Sequence, residues 1–371
     1  SAPRGDHAEH PDYHGEAACD ANAEIVMTSI DAAAAAAARG GQEPFAACKF
    51  TGIGQPELLE RLSTILCSLN ASFARLDSEG NGKLTVAQFV DGLQKAGSTL
   101  TAQQLGDIFN NLDLDKNGMV EYGDWVEGLC PSEAIFTAPF DPLEEPAFTQ
   151  LTDGSFERLT REERVRYSRM IARASRLAEY AASKGVKLLI DAEQTYMQPA
   201  IDHLALRMMQ KYNTESPIIF NTYQCYLKDA PERVARDMER AGRQGFIFAA
   251  KAVRGAYMVQ ERRLAAERGH DSPIHDTKED THACYDRVVD QILSSKTSAG
   301  ADELAHKAAV MVASHNEESI VKVVQRMGQL NLEPKDGIYF AQLQGMCDHV
   351  SSALGQEGYS VYKYLPYGPV K

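Results

Sequence analysis

The stretch GFIFAAKAVRGAYMVQERR, Gly245 to Arg263, sets two cations at the end of an apolar run. Phe246 to Ala250 are apolar without alternation, the pattern of a strand covered on both faces. Lys251 and Arg254 come at or just past its end, and Gly255 follows. An unpaired buried ammonium costs too much to keep, so something anionic or electron-rich should meet these cations. Other apolar runs end in the same way. Lys49 closes FAACKF, Asp191 and Glu193 close VKLLIDAE, and Gln224 closes PIIFNTYQ. His315 and Asn316 follow AAVMVAS, Gln342 and Leu343 close GIYFAQL, and Tyr364 lies in SVYKYLP. Singly, each reads as a helix cap or a solvated strand end. Together they describe a polar cup. Two cations, an amide and a His-Asn pair suit a large planar cofactor with acceptor edges and a phosphate tail.

Other chemistries lack their residues. There is no GxSxG elbow and no HExxH or clustered Cys/His zinc pattern. GIGQPE at Gly52 lacks the third glycine of a dinucleotide fingerprint. A Schiff-base lyase with Lys251 as nucleophile stays open as a separate class.

The cup needs elements that bring these ends together. The runs 45–50, 186–193, 217–224, 246–253, 308–314, 337–343 and 360–366 read as strands, with helical patterns such as ERVARDMERAGRQ and EESIVKVVQRMGQL between them. Alternation of this kind implies parallel strands with right-handed crossovers. The expected fold is α/β, a distorted (β/α)8 TIM-like barrel, whose active site lies at the C-terminal strand ends. Seven strands are visible, so the first strand and the last helix are expected to be missing. The expected layout is residues 1–67 as the N-terminal part of the barrel with a polar tail 1–15, residues 68–155 as an insert and linker, and residues 156–371 as the rest of the barrel.

The insert carries two similar loops, DSEGNGKLTVAQ (Asp77–Gln88) and DLDKNGMVEYGD (Asp113–Asp124). Oxygen ligand types at positions 1, 3 and 5, Gly at 6 and an apolar residue at 8 define an EF-hand calcium loop. An all-α, EF-hand-like insert is therefore expected. Position 12 is Gln88 in the first loop, which carries no charge, and Asp124 in the second, a short carboxylate that suits magnesium better than calcium. Asp113, Asp115, Asn117, Met119 and Asp124 are the candidate ligands for Ca2+ or Mg2+. A pure packing module is the competing reading.

The formal net charge of −14 argues against a nucleic-acid partner. No apolar run approaches the roughly 20 residues of a membrane span. The 7 cysteines include no CxxC, and their odd count argues against a closed disulfide framework, so a reducing compartment is expected. The start, SAPRGDHAEHPDYHG, lacks the apolar core of a signal peptide and the arginines of a transit peptide.

The blocks LLIDAEQTYMQPAI, IFNTYQCYLKDA, AKAVRGAYMVQERR, VMVASHNEES, QLQGMCDH and YKYLPYGPV resemble the eukaryotic proline dehydrogenases, from about Glu16 to Lys371. The resemblance implies an FAD-dependent barrel. It would oxidise L-proline to Δ1-pyrroline-5-carboxylate by hydride transfer from C5 to flavin N5, the first step of proline catabolism. Electrons would pass to ubiquinone, with peripheral association on the matrix side of the mitochondrial inner membrane. By the same resemblance Lys251 lies near flavin N5, Arg254, Gly255 and Ala256 pack along the flavin, and Gln224 bonds its pyrimidine edge. Thr277, Lys278, His315 and Asn316 resemble contacts to the ribityl, pyrophosphate and adenosine parts. Lys49 would hold the proline carboxylate, Asp191 would orient the cations, and Tyr257, Leu343 and Tyr364 would pack on the pyrrolidine ring. Tyr364 would favour proline over 4-hydroxyproline. The family's further C-terminal helix, with an Arg-Arg pair, does not follow YLPYGPVK. The expectation is an incomplete catalytic domain with weakened proline affinity. A non-catalytic, divalent-ion-responsive barrel protein is the alternative.

Overall fold

The computed structural model describes residues 15–129, 159–298 and 303–365; the polar tail, much of the insert's linker and the closing PYGPVK lie outside the described residues. The chain divides into two compact units. One comprises Ser1–Gln55, Ser168–Thr195 and Ile201–Lys371, and the other Pro56–Tyr167 and Tyr196–Ala200.

All seven strand candidates form strands in the first unit: β1 (Phe45–Cys48), β4 (Lys187–Ile190), β5 (Ile219–Gln224), β6 (Ala249–Val253), β7 (Ala309–Ala313), β8 (Ile338–Leu343) and β9 (Ser360–Tyr364). They make one sheet in the order β1-β4-β5-β6-β7-β8-β9, and every pairing is parallel. The intervening helices supply the crossovers that parallel neighbours require. The sheet curls strongly. Phe45 on one edge strand and Tyr362 on the other have ring centroids 4.9 Å apart. The architecture is a curled parallel half-barrel, consistent with a distorted TIM-like barrel.

Side chains alternate across a strand, so one parity of each strand faces the concave side. Phe45, Ala47, Leu189, Phe220, Ala249, Ala309, Met311, Tyr339, Ala341 and Tyr362 pack there as one apolar cluster. Phe45 meets Phe220, Tyr339 and Tyr362 edge to face at 5.5, 4.9 and 4.9 Å. Continuing the same parity toward the C-terminal ends brings in Lys49, Asp191, Glu193, Gln224, Lys251, Leu343 and Tyr364. The alternation that builds an aromatic floor thus builds a polar layer above it.

Phe246 to Phe248 are buried but precede β6, contrary to the strand expected from Phe246. Their backbone is claimed elsewhere: Phe246 N–H bonds Ala241 at the end of helix Ala230–Gln244, and Ile247 N–H bonds the carbonyl of Asn213. The Asn213 amide is wholly buried. It donates to Ile219 and Ile247 and accepts from Ile218 and Ile219 at 2.8–3.1 Å, tying the starts of β5 and β6 together.

Helix α1 (Glu16–Gly40) is fixed by Arg173 of α7 (Arg161–Ser183). The largely buried guanidinium pairs with Glu16 at 2.5 Å and Asp20 at 2.6 Å and donates to the Ile53 carbonyl at 3.1 Å.

The second unit is a duplication with a 36-residue offset, so that Asp77, Gly82, Phe89 and Gly92 correspond to Asp113, Gly118, Trp125 and Gly128. Each half is helix, loop, short strand, helix: α3 (Pro56–Leu76), β2 (Lys83–Leu84) and α4 (Val86–Lys95), then α5 (Ala102–Leu112), β3 (Val120–Glu121) and α6 (Tyr122–Leu129). β2 and β3 pair antiparallel. Thr85-Gln88 and Thr101-Gln104 capping boxes start α4 and α5. A Cβ on Gly92 would lie 2.4 Å from Leu76, and one on Gly128 the same distance from Leu112, so both glycines serve close helix packing.

Replacing Arg173 by Met should cost about 2 kcal/mol, less than the ~3–5 kcal/mol for breaking a fully buried pair because Asp20 is exposed. Thermal unfolding followed by circular dichroism measures this, and an unchanged midpoint would show that the contacts carry no stability.

Candidate active site

Asp191 sits one residue past β4 and is buried. Its Oδ1 accepts from the Lys251 ammonium at 2.7 Å, and its Oδ2 lies 3.2 Å from the Tyr364 hydroxyl, which donates to it. Lys49 Nζ stands 3.8 Å from the same Oδ2. The Lys251 ammonium also lies 5.1 Å from the centroid of the Tyr364 ring. Three strand ends far apart in sequence thus meet on one carboxylate. Lys251 is buried beside its partner, whereas the Lys49 side chain is 47% exposed and can reach a ligand. Burial works against the Lys49 charge, but Asp191, Glu193 and a hydrogen bond with Tyr257 outweigh it and hold its ammonium above the usual lysine range. Tyr257 is thereby placed beside Lys49.

Glu193 follows two residues after Asp191. Thr51 donates to it through its hydroxyl at 2.9 Å and its backbone N–H at 3.4 Å. Burial pushes the Glu193 carboxyl up, against the pull of Lys49 and Thr51. Gln224 is buried and donates to the Glu193 carbonyl at 2.8 Å. Leu343 is exposed and pairs in register with Tyr364, and its N–H donates to His315 Nε2 at 2.9 Å.

Arg254 is largely engaged by its own chain. It donates to His282 Nδ1 at 2.8 Å, Ser314 at 2.7 Å and Ser319 at 2.9 Å, and its guanidinium lies 4.3 Å from the Tyr285 ring centroid. Three of its five N–H groups are used, leaving two for a ligand. Gly255 and Ala256 are exposed beside it. Gly255 has φ 131, and a Cβ there would lie 2.6 Å from the Tyr226 ring, so backbone and ring approach as only glycine permits. Thr277 caps α11 (Lys278–Ser295), accepting from Asp280 N–H at 3.1 Å, and Lys278 is exposed in the first turn. Asn316 caps α13 (Glu317–Gln329), accepting from Ser319 N–H at 2.8 Å. Thr277 and Asn316 bond within their own helix starts, and Lys278 is exposed, so the structure does not bring these three to the Asp191 group.

Sequence reasoning placed Glu193 at a strand end without assigning it to the site; its parity with Asp191 was the available signal. Thr51, Ser314 and Ser319 gave no signal, being short polar residues near strand or helix ends, and neither did His282, a single imidazole within the helix Lys278–Ser295. Glu261 was also missed. It is buried in the first turn of α10 (Met258–Arg268) and accepts from Thr195 N–H at 2.7 Å and the Thr195 hydroxyl at 2.5 Å. It joins the loop after β4 to the loop carrying Tyr257, a positioning role.

In the second unit, Asp113 accepts from Asn117 and Gly118 N–H at 3.1 and 2.9 Å, and Asp115 accepts from Asn117 N–H at 3.2 Å. Asn117 accepts from Met119 N–H at 2.8 Å. Carboxylate oxygens of Asp115, Glu121 and Asp124 lie within 4.8 Å of one another. Glu121 was not among the expected ligands, and Lys83 stands 3.4 Å from it. In the first loop the Gln88 side chain bonds Thr85 at 2.9 Å within its capping box.

A curled parallel sheet with a lysine-carboxylate-tyrosine group at its C-terminal strand ends defines an α/β protein with a strand-end site of the barrel-enzyme kind. The chain belongs to the proline dehydrogenase family, whose sequence pattern matches residues 11–371. It is 41% identical over 369 residues to human mitochondrial proline dehydrogenase 1, covering 96% of this chain and 59% of that protein. The Caenorhabditis elegans mitochondrial proline dehydrogenase 1 is 38% identical over 372 residues, 97% and 57% of the two chains. Hydroxyproline dehydrogenase of Xenopus laevis is 42% identical over 243 residues, 65% of this chain and 49% of that protein. The chain spans less than two thirds of the length of each of these relatives.

Gly255→Ala should cost about 1–3 kcal/mol through left-handed backbone strain, in addition to the clash with Tyr226. Gly52→Ala, where a Cβ meets nothing within 4 Å, should change stability by no more than about 0.5 kcal/mol. Urea denaturation of both variants tests this; equal stability would remove the steric reading of Gly255.

Proposed function

We propose that this chain is the catalytic part of an FAD-dependent proline dehydrogenase that oxidises L-proline to Δ1-pyrroline-5-carboxylate. The observation that carries the reading is the Asp191 carboxylate held between Lys251, Lys49 and the Tyr364 hydroxyl at the strand ends of a family member.

The residues present fit a flavin. Arg254 has two N–H groups to spare, Gln224 keeps a second amide N–H beyond the one given to Glu193, and Gly255 leaves an exposed backbone where a side chain would intrude. Lys251, Gln224, Arg254, Gly255 and Ala256 would hold the ring system. Thr277, Lys278, His315 and Asn316 would hold the ribityl and phosphate-bearing parts, the first two and Asn316 lying at helix N-termini, where anions are favoured. A bound FAD would supply the acceptor for the hydride from proline C5, with ubiquinone as the onward electron acceptor.

The chain's own residues bind and orient. The half-exposed Lys49 ammonium takes the proline carboxylate. Asp191 fixes the two lysines so that neither wanders, and holding them in place costs nothing further at the moment of reaction. Lys251 keeps a positive charge where electron density grows. Tyr257, Leu343 and Tyr364 enclose the pyrrolidine ring. The hydroxyl of Tyr364, anchored on Asp191, crowds the ring's far edge and favours proline over 4-hydroxyproline. Mitochondrial location is supported by the names of the relatives; peripheral association on the matrix side of the inner membrane rests on the family resemblance. The quinone acceptor rests on the family resemblance.

The test is anaerobic addition of proline to the purified chain supplied with FAD, following loss of the flavin absorbance band. Bleaching is expected, and Lys251→Ala should slow it by roughly 100-fold or more. A chain that binds FAD and is never bleached by proline would sink the proposal.

The second unit supports a further reading as an EF-hand-like insert with one divalent site. Gln88 is committed to its helix cap, so the second loop alone, with Asp113, Asp115, Asn117, the Met119 carbonyl and Asp124 at its ligand positions, would take Ca2+ or Mg2+; of these, Asp115 and Asp124 converge together with Glu121. Titration calorimetry should show one ion per chain, lost in Asp113→Asn and retained in Asp77→Asn. Heat from neither ion would leave the unit as packing alone.

A further inference from the structure

Arg254 has N–H groups to spare at the proposed flavin site, and one of its partners differs in kind from the rest. Its Nε donates to His282 Nδ1 at 2.8 Å, its Nη1 to the Ser314 hydroxyl at 2.7 Å and its Nη2 to the Ser319 hydroxyl at 2.9 Å. Ser314 directly follows β7, Ser319 lies in the first turn of α13, and His282 lies in α11. Three segments thus converge on one guanidinium, and the Tyr285 ring centroid lies 4.3 Å from it. A guanidinium N–H only donates, so His282 Nδ1 must present a lone pair. The ring is therefore neutral, with its proton on Nε2.

The serine hydroxyls accept a hydrogen bond at any ordinary pH, whereas His282 ceases to accept once Nδ1 takes a proton. An imidazolium and a guanidinium in contact would then repel each other, and Arg254 Nε would lose its partner. The ring is half-buried, so it can turn out to water without unfolding the helix. Burial first, then the charges of Arg254 and Lys278, hold the imidazole below the ordinary histidine range, against Asp286 and Glu279. Arg254 comes from the turn after β6, and the other three from α11 itself. Asp286 is shared, since it also pairs with Lys322 of α13 at 2.8 Å and accepts from the Ser319 hydroxyl at 2.6 Å. The bond to Arg254 is complete above the ordinary histidine range and is lost as the pH falls through the lowered pKa.

We propose that His282 is a positioning residue for the cofactor site: its neutral imidazole holds Arg254 so that the two spare N–H groups stay in place for FAD, and protonation of the ring releases the guanidinium. The ligand rests on the FAD reading above; the tether rests on the 2.8 Å bond. With Nε, Nη1 and Nη2 all bonded, the guanidinium plane has one orientation. Without the acceptor at Nε it regains part of its freedom, and a ligand must order it again on binding. Ordering one long side chain weakens binding by roughly three- to tenfold. Ser314 and Ser319 stay in place and keep the loss to that order.

The test has two readouts on the whole chain. The first is FAD affinity at pH 8, from quenching of flavin fluorescence. His282→Ala should weaken binding by roughly three- to tenfold, and His282→Asn, whose Oδ1 accepts at any pH, should restore it. The second needs no FAD. Nitrogen NMR of the cofactor-free chain follows the His282 ring and the Arg254 Nε–H, the latter assigned by its absence in Arg254→Lys. As the ring titrates, the Nε–H signal should be lost in the unsubstituted chain and persist in His282→Asn. Equal FAD affinity in the unsubstituted and His282→Ala chains would overturn the positioning role. An Nε–H signal that outlasts protonation of the ring, or a ring that never titrates in the folded chain, would overturn the release. If the signal behaves as expected but none of the chains binds FAD, the tether stands and the flavin reading falls.

Discussion

The carboxylate of Asp191 is the constraint on which the rest of the site depends. Lys251 lies on the concave face of β6, whose other residues are alanine and valine, and a buried ammonium left without a partner is costly. Asp191 supplies that partner at 2.7 Å and spends its second oxygen on Tyr364, with Lys49 nearby. Removing the carboxylate would leave one buried cation, one half-exposed cation and one phenol without their common anchor. The three belong to β6, the turn after β1, and β9, so the interaction also fixes how three strand ends stand relative to one another. Breaking such a pair costs more than never having built it.

The sequence made much of this legible because strand parity is rigid. Once Phe220, Leu189 and Tyr339 are assigned to the inner face, every second residue beyond them must follow, and Asp191, Gln224 and Leu343 fall on the same side without further information. Unbroken apolar runs identified the strands. What stayed illegible depends on partners remote in sequence. Phe246 to Phe248 read as strand, but Ala241 and Asn213 claim the backbone of Phe246 and Ile247, and that claim leaves no mark in composition. Arg254 read as a free cation for a ligand. Three of its N–H groups go instead to His282, Ser314 and Ser319, whose positions in the chain suggest nothing of the kind.

The insert shows the same limit from the other side. Its 36-residue duplication was visible as two similar glycine-centred loops in a segment read as all-α. The fate of Gln88 was not visible, because a glutamine at the last loop position can face an ion or its own N-cap equally well. Its bond to Thr85 decides for the cap. Glu121, at position 9 of the loop, lies outside the five positions expected to ligate, and the fold turns its carboxylate toward Asp115 and Asp124.

The aromatic floor beneath the polar layer has an electrical consequence. Phe45, Phe220, Tyr339 and Tyr362 fill the interior below Lys251 with packed, uncharged rings that exclude water. A medium of that kind screens poorly, so the attraction between Asp191 and its lysines is weakened mainly from the side of the open rim, where water can enter. Because Asp191 is shared with the buried Lys251, the half-exposed Lys49 is the cation that an anion at the rim would meet.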